Sequence, residues 1–253
     1  MENAEALAMS AKQTLGLITF DIDDTLYPSA EFARSARENA VKAMIQAGLQ
    51  LEAKAALAEL DEVVAEFSSN DEHHLDRLLQ RMPESCTRGV NPAILVAAGI
   101  VAYRGTVHEG LVLYEDAQEC LKRLHAGGYR LGVVSQGWTV KQAEKVVRLK
   151  ILPYLDNKSI FFTDQIGISK ANSKFYRRVA ELAGLPPPQC LNVGDRPDRD
   201  IDPANAAGWL TVLNRRSGRY HQLAGLTPPA YTVQNFWDLI EIIEKNFEPA
   251  EKL

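Results

Sequence analysis

The sequence has few cysteines, and they are not arranged as a disulfide framework or a zinc site. Cys86, Cys120 and Cys190 are odd in number and far apart, and none belongs to a CxxC or a Cys/His ligand pattern. Structural zinc sites and disulfide-rich domains depend on such spacings. We therefore expect a reduced chain that contains neither.

Long hydrophobic runs and blocks of positive charge are also missing. The longest apolar stretch, near Ala93–Tyr103, is shorter than the roughly 20 residues that cross a bilayer. Met1–Gly16 lacks the basic region and apolar core of a signal peptide. The net charge is −5, without the basic runs that nucleic acids and anionic membranes attract. We expect a cytoplasmic protein that binds neither nucleic acid nor membrane; the sequence does not indicate its oligomeric state.

The 253 residues, 46% of them hydrophobic, are typical of a soluble globular protein, and strand and helix patterns alternate along much of the chain. The predicted strands are Leu15–Phe20, Tyr129–Val134, Ser159–Phe162, Cys190–Val193, Trp209–Leu213 and an edge strand at Tyr231–Val233. The predicted helices are Asp116–His125, a helix capped by Thr139 with Val140, Ala143, Val146 and Val147 inward, Ser173–Ala183 with Phe175, Val179, Leu182 and Ala183 inward, Ile201–Ala207, and a last helix that buries Phe236, Leu239, Ile240 and Ile243. This alternation predicts an α/β fold with a Rossmann-like parallel sheet covered on both faces.

The region from about residue 30 to residue 104 has a different texture. It is rich in Ala, Leu, Glu and Arg and has no strand-like run. The predicted helices are Glu31–Leu49, Leu51–Phe67, Glu72–Met82 and Pro92–Tyr103. We expect residues 30–104 to form an inserted helical domain that acts as a lid, and residues 1–29 and 105–253 to form the α/β core.

Two acidic turns follow predicted strands. Asp21, Asp23 and Asp24 come directly after the first strand, and carboxylates in contact repel one another by about 1 kcal/mol per pair even in water. Asp195 follows the strand Cys190–Val193, and Asp200 lies at the start of the next helix. Solvated turns and helix caps are the simpler alternatives. Because ligands bind beyond the carboxyl ends of parallel strands, the two turns indicate an oxygen-ligand site suited to Mg²⁺.

Two further segments are suited to an anion. Ser135-Gln136-Gly137 offers a hydroxyl and backbone N–H groups at a strand-to-helix turn, although serine is common in turns of every kind. Lys170 stands just before a helix N-terminus, where the dipole disfavours a cation, and this placement suggests an anionic partner. Lys174, inside the same helix, is the competing candidate.

Together these motifs resemble the haloacid dehalogenase-like superfamily in residue identity and in order. The resemblance extends from about Gly16 to Lys245 and includes a helical insert similar to the family's C1-type cap. It rests on Asp21-x-Asp23-x-Thr25, Ser135, Lys170 and Gly194-Asp195-xxxx-Asp200. The chain departs from the family pattern at Gln136, where Asn is common, and at Ala171, where Pro is common, so contacts to the leaving group become uncertain.

The resemblance implies a magnesium-dependent phosphatase that acts on a small phosphorylated metabolite through an aspartyl-phosphate on Asp21. Asp23 would protonate the leaving group and then activate water, with a pKa raised toward neutrality. The other implied roles are Mg²⁺ binding by Asp21, Asp195 and the backbone carbonyl of Asp23, phosphate binding by Ser135, Gln136 and Lys170, and support by Thr25 and Asp200.

Three alternatives remain open from the sequence. A sugar-phosphate mutase would share the fold and differ only in the acceptor of the phosphoryl group. A receiver-like signalling domain also combines an acidic cluster, a hydroxyl and a lysine, but it is about half this length. The third is a catalytically idle phosphate-binding protein. Repeated turnover would distinguish an enzyme from the last two.

Overall fold

A computed structural model describes residues 12–67, 71–216, 218 and 220–250, without the side chains of 107–109. The predicted core ranges, 1–29 and 105–253, and the signal-peptide prediction for Met1–Gly16 include residues outside this description. The chain divides into two compact units, Pro28–Val112 and the remainder. Among the described residues, no helix is long and apolar enough to cross a membrane.

The described residues form eight strands and ten α-helices. The strands are β1 Gln13–Leu15, β2 Leu17–Phe20, β3 Leu131–Ser135, β4 Ile160–Phe162, β5 Cys190–Gly194, β6 Leu210–Asn214, β7 Tyr231–Val233 and β8 Phe247–Pro249. The helices are α1 Ser29–Gln46, α2 Ala53–Phe67, α3 His74–Arg81, α4 Pro92–Gly110, α5 Glu115–Ala126, α6 Thr139–Arg148, α7 Thr163–Ile166, α8 Ser173–Ala183, α9 Asp202–Ala206 and α10 Phe236–Asn246.

The larger unit is built on a six-stranded sheet with the strand order β4-β3-β2-β5-β6-β7. All of its strand pairs are parallel. Strands β2, β3 and β5 are buried at every position, as expected for a parallel sheet with helices on both faces. The predicted α/β architecture is therefore confirmed, and the carboxyl ends of these three adjacent strands lie at one edge of the sheet.

The first predicted strand is divided into two. The prediction of one strand over Leu15–Phe20 is wrong, because Leu15 belongs to β1, which pairs with β8 in a separate two-stranded sheet. The chain changes partner at Gly16, whose N–H donates to the carbonyl of Gln189 at 2.8 Å. A Cβ at Gly16 would lie 2.6 Å from a methyl carbon of Leu185, so a larger residue here would require the Leu185 side chain to move.

Helix α6 faces the core with a different side from the predicted one. Val146 is buried as predicted, but Val140 and Val147 are 79% and 59% exposed, and the polar residue Gln142 is buried instead. Thr139 does not cap the helix; its N–H and hydroxyl both donate to Asp164. The apolar spacing predicted the helix correctly, but the prediction that Val140 and Val147 face inward is wrong.

Two other helices differ in detail from the prediction. In α8, Phe175, Val179 and Ala183 are buried as predicted, but Leu182 is 49% exposed. The helix expected over Ile201–Ala207 is only α9, preceded by a π-helical turn at Pro197–Ile201. The edge strand β7 and the buried face of α10 agree with the prediction.

The smaller unit, Pro28–Val112, contains helices α1 to α4 and no strand among its described residues. Its core is an apolar cluster that includes Val41, Met44, Leu60, Leu78 and Leu95. Helix α4 begins where the Asn91 side chain accepts from the N–H of Ala93, and it runs to Gly110 rather than to the predicted Tyr103. The helical insertion thus has its own hydrophobic core.

Candidate active site

Strand pairing brings Asp21 and Asp195 together. Strand β2 pairs with β5 so that Phe20 lies opposite Val193, and the N–H of Asp21 extends this ladder to the Val193 carbonyl at 2.9 Å. Asp21 directly follows β2 and Asp195 directly follows Gly194, the last residue of β5, so the two residues leave the sheet at the same edge. Ligand atoms of Asp21, Asp195 and Asp200 all lie within 4.8 Å of one another.

Asp200 reaches this group because Gly194 lets it approach the backbone of β5. A Cβ at Gly194 would lie 2.3 Å from the Asp200 carboxyl carbon, so a larger residue would displace that carboxylate. The N–H of Arg196 donates to Asp200 at 3.0 Å and holds the turn. Sequence reasoning gave Asp200 only a supporting role; its carboxylate is in fact a member of the acidic group.

Lys170 is a buried cation that pairs with two of the three members of the acidic group. Its side chain is 2% exposed, and it donates to Asp21 at 2.7 Å and to the Val134 carbonyl at 3.2 Å. It also forms an ion pair with Asp200. Burial alone would lower the pKa of Lys170, but the carboxylates of Asp200 and Asp21 outweigh burial and hold it well above its ordinary value. The ammonium is thus present to neutralise one of the three carboxylates.

The remaining negative charge is unfavourable in this buried position. Burial raises the pKa of Asp21 to about 7; Lys170 opposes the shift, and neighbouring carboxylates add to it. Burial and the carboxylates of Asp200, Asp21 and Asp24 raise the pKa of Asp195 to about 9. Mg²⁺ prefers oxygen ligands such as carboxylates. A bound cation would also stabilise the ionised form of these acids. Asp21, Asp195 and Asp200 are the residues whose carboxylates fit such an ion.

Asp23 lies beside this group and has different partners. Lys145 donates to its Oδ1 at 2.7 Å and to its Oδ2 at 2.5 Å, and the Tyr27 hydroxyl donates to Oδ1 at 2.6 Å. Burial alone would raise the pKa of Asp23, but Lys145 and then Tyr27 outweigh it and lower that pKa. The expectation of a pKa raised toward neutrality is therefore wrong, because it considered the neighbouring carboxylates and not the lysine.

Two of the predicted phosphate-binding residues lie at the carboxyl end of β3, the strand next to β2: Ser135 is the last residue of β3 and Gln136 follows it. The Ser135 hydroxyl is buried and donates to the side-chain oxygen of Gln142 at 2.9 Å. The Gln136 side chain accepts from the Ser169 hydroxyl at 3.4 Å, and the Gly137 N–H donates to Thr163 at 3.1 Å. These contacts fix the loop, and phosphate binding by Ser135 and Gln136 stays a prediction.

Thr25 connects the first acidic turn to β6, which lies on the far side of β5 in the sheet. Its hydroxyl is 3.5 Å from Asp21 Oδ2, and its carbonyl accepts from the Asn214 side chain at 3.4 Å. Asp24, between the two catalytic candidates and Thr25, has a left-handed backbone with φ of 54°, which aspartate tolerates better than most residues. The supporting role of Thr25 stays a prediction.

Sequence reasoning missed Lys145, Tyr27 and Gln142. On α6, positions 142, 145, 146 and 149 are spaced as one helical face, and Val146 and Leu149 on it are buried. Counting Gln142 and Lys145 as inward-facing would have found two polar side chains directed toward a site. The prediction instead placed the exposed residues Val140 and Val147 on the inward face.

Comparison with known proteins agrees with this geometry. Residues 15–208 match the family model described as haloacid dehalogenase-like hydrolase. The chain is 42% identical to the glyceraldehyde 3-phosphate phosphatase of Methanopyrus kandleri, covering 81% of this chain and 86% of that protein. It is 33% identical to the protein of the same name from Methanocaldococcus jannaschii, covering 90% and 96%.

A solved structure supports the fold. The crystal structure of YfnB from Bacillus subtilis, bound to magnesium, superposes with a TM-score of 0.64 at 18% identity and covers 92% of this chain and 100% of that one. At this identity the likeness concerns the fold alone. Together with the match over residues 15–208, it leaves one assignment: this chain belongs to the haloacid dehalogenase-like hydrolases.

Proposed function

We propose that this protein is a magnesium-dependent phosphatase that hydrolyses a small phosphate monoester through an aspartyl-phosphate on Asp21. The observation that carries the proposal is the close group of Asp21, Asp195 and Asp200, with the buried Lys170 ammonium paired to Asp21 and Asp200. Phosphate monoesters are among the least reactive substrates known, and their dianions repel a carboxylate nucleophile. A site for this reaction must therefore concentrate positive charge beside its nucleophile.

In the first step, the Asp21 carboxylate attacks phosphorus, and the bond from phosphorus to the ester oxygen breaks. Lys170, already 2.7 Å from Asp21, would attract the phosphoryl oxygens as they approach. Mg²⁺, held by Asp21, Asp195 and Asp200, would supply the charge that keeps the acids ionised and neutralises the substrate. The predicted contribution of the Asp23 carbonyl would complete that site.

Asp23 would serve as the acid–base group of both steps. An alkoxide leaving group takes a proton from Asp23, which leaves Asp23 as a carboxylate. That carboxylate then takes a proton from the water that attacks the aspartyl-phosphate, and phosphate and free Asp21 are released. The lowered pKa of Asp23 favours the second of these roles.

The relatives suggest a first substrate to test. The match to this chain extends over most of the length of two proteins named glyceraldehyde 3-phosphate phosphatase. We therefore infer that a triose phosphate such as glyceraldehyde 3-phosphate is the substrate. The helical unit Pro28–Val112 is the part of the chain to which we assign the choice of substrate, as the predicted cap.

The test is phosphate release from glyceraldehyde 3-phosphate and from p-nitrophenyl phosphate, with Mg²⁺ and with EDTA. We expect turnover only with the metal, and we expect Asp21→Asn to reduce it to background because the amide is not a nucleophile. After acid quenching of the wild type, mass spectrometry should find one phosphoryl group on the peptide that contains Asp21.

Glu241→Gln is a matched control, because Glu241 is exposed on α10 and the substitution makes the same change of charge. It should retain wild-type activity. Wild-type turnover in Asp21→Asn, or a phosphoryl group on another residue, would contradict the nucleophile assignment. Equal activity with EDTA would contradict the metal requirement.

A further inference from the structure

We propose that Lys145 is a positioning residue that fixes the Asp23 carboxylate for its attack on the water proton. The inference rests on the proposed function, since it concerns the second half of that reaction. Lys145 belongs to α6, whereas Asp23 follows β2, and the two are 122 positions apart in sequence. Neither composition nor local spacing joins them, so the contact is produced by the fold.

Three hydrogen bonds to the Asp23 carboxylate leave one lone-pair position that can accept a proton. A carboxylate offers about four lone-pair positions. The Lys145 ammonium occupies one on each oxygen, and the Tyr27 hydroxyl occupies a second on Oδ1. Among the described residues, this leaves a position on Oδ2. The Asp23 side chain is 35% exposed, so it is not closed off from water.

Two side-chain hydrogen bonds hold the first turns of helix α6 in place. Gln142 accepts from the Ser135 hydroxyl at 2.9 Å, and Thr139 donates to Asp164 at 3.0 Å. Lys145 follows Gln142 by three positions, on the same side of the helix. Its side chain is 19% exposed, so its ammonium is partly shielded from water and gains more from the ion pair than a surface lysine would.

The step that depends on this arrangement is hydrolysis of the aspartyl-phosphate. Oδ2 of Asp23 accepts a proton from water, the water oxygen bonds to phosphorus, and the bond between phosphorus and the Asp21 oxygen breaks with its electron pair returning to Asp21. Without Lys145, only Tyr27 would orient the carboxylate. A misplaced base slows this step but leaves attack by Asp21 on an activated ester nearly intact, because p-nitrophenolate leaves without protonation.

The experiment compares kcat with kcat/KM for p-nitrophenyl phosphate in wild type and Lys145→Met. The ratio kcat/KM reports the steps up to release of p-nitrophenolate, whereas kcat also includes hydrolysis of the intermediate. We expect kcat to fall about 10-fold or more and kcat/KM to change less than about threefold. Rapid mixing should then show a burst of p-nitrophenolate near one equivalent, with phosphoryl-Asp21 accumulating.

Three variants complete the design. Lys145→Arg should recover most of kcat, because it keeps a cation with two donors toward the carboxylate. Lys174→Met, an exposed lysine of α8, should behave as wild type. Tyr27→Phe should lower kcat less than Lys145→Met does, because it removes one of the three hydrogen bonds to Asp23.

The outcomes separate this inference from the proposed function. Equal losses in kcat and kcat/KM without a burst would indicate a merely structural lysine and overturn the inference. An unchanged kcat would overturn it as well. If the wild type itself had no Mg²⁺-dependent phosphatase activity, the proposed function would fail first.

Discussion

Replacing Lys170 by Met should destabilise the metal-free protein more than replacement of any surface lysine. The ammonium is 2% exposed and pairs with Asp21 and Asp200, so the variant leaves buried carboxylates without their cation. Breaking a buried ion pair from one side costs about 3–5 kcal/mol. In a protein of this size, that loss corresponds to a decrease in Tm of about 6–20 °C.

Thermal unfolding followed by circular dichroism in EDTA would measure the change. Lys174→Met removes an exposed lysine from α8 and should stay within about 0.5 kcal/mol of wild type. The double variant Lys170→Met/Asp200→Asn should recover about 1 kcal/mol or more, because it removes one of the unpaired charges. A Tm for Lys170→Met within 2 °C of the Lys174→Met value, an interval of about 0.5–1 kcal/mol, would refute the electrostatic account of the site.

Two other expectations concern packing and pH. Gly132→Ala should lower the free energy of unfolding by about 1–3 kcal/mol, because the new Cβ would lie 2.3 Å from the Ser159 carbonyl oxygen. Gly105 has open space around it, so Gly105→Ala should not destabilise the protein. Equal Tm values for the two variants would contradict this expectation. Mg²⁺ affinity should rise between pH 6 and pH 8 by about tenfold per pH unit for each ligand that is still protonated, since the pKa values of Asp21 and Asp195 are raised to about 7 and about 9. Calorimetric titration in buffers of different ionisation enthalpy would measure the protons released, and an affinity independent of pH would contradict the raised values.

The part of the site that follows from strand ends could be predicted from the sequence. Fully buried parallel strands are continuous apolar runs, so the residue after each run is placed at the sheet edge by its own strand. Asp21, Ser135 and Asp195 were found in this way. Lys170 was found from its unfavourable position before a helix N-terminus.

The rest of the site depends on contacts between distant segments. The inward face of α6 is set by Gln142 on Ser135 and by Lys145 on Asp23, and neither contact leaves a trace in the apolar periodicity of the helix. The pKa of Asp23 was misjudged for the same reason. The pairing of β1 with β8 was not predicted because strands of three residues carry almost no pattern.

The distances along the chain between the partners in this site determine when it can form. Asp21 and Lys170 are separated by 149 positions, and the hydrogen bond from Thr19 to Asn192 joins β2 to β5 across 173. Closing such long loops delays folding until most of the chain is present. The helical insertion, Pro28–Val112, is synthesised before β5, so we expect a ribosome-bound chain to fold its helical unit before its metal site. Magnesium should therefore leave early nascent chains unprotected from proteolysis and protect only those long enough to include Asp200.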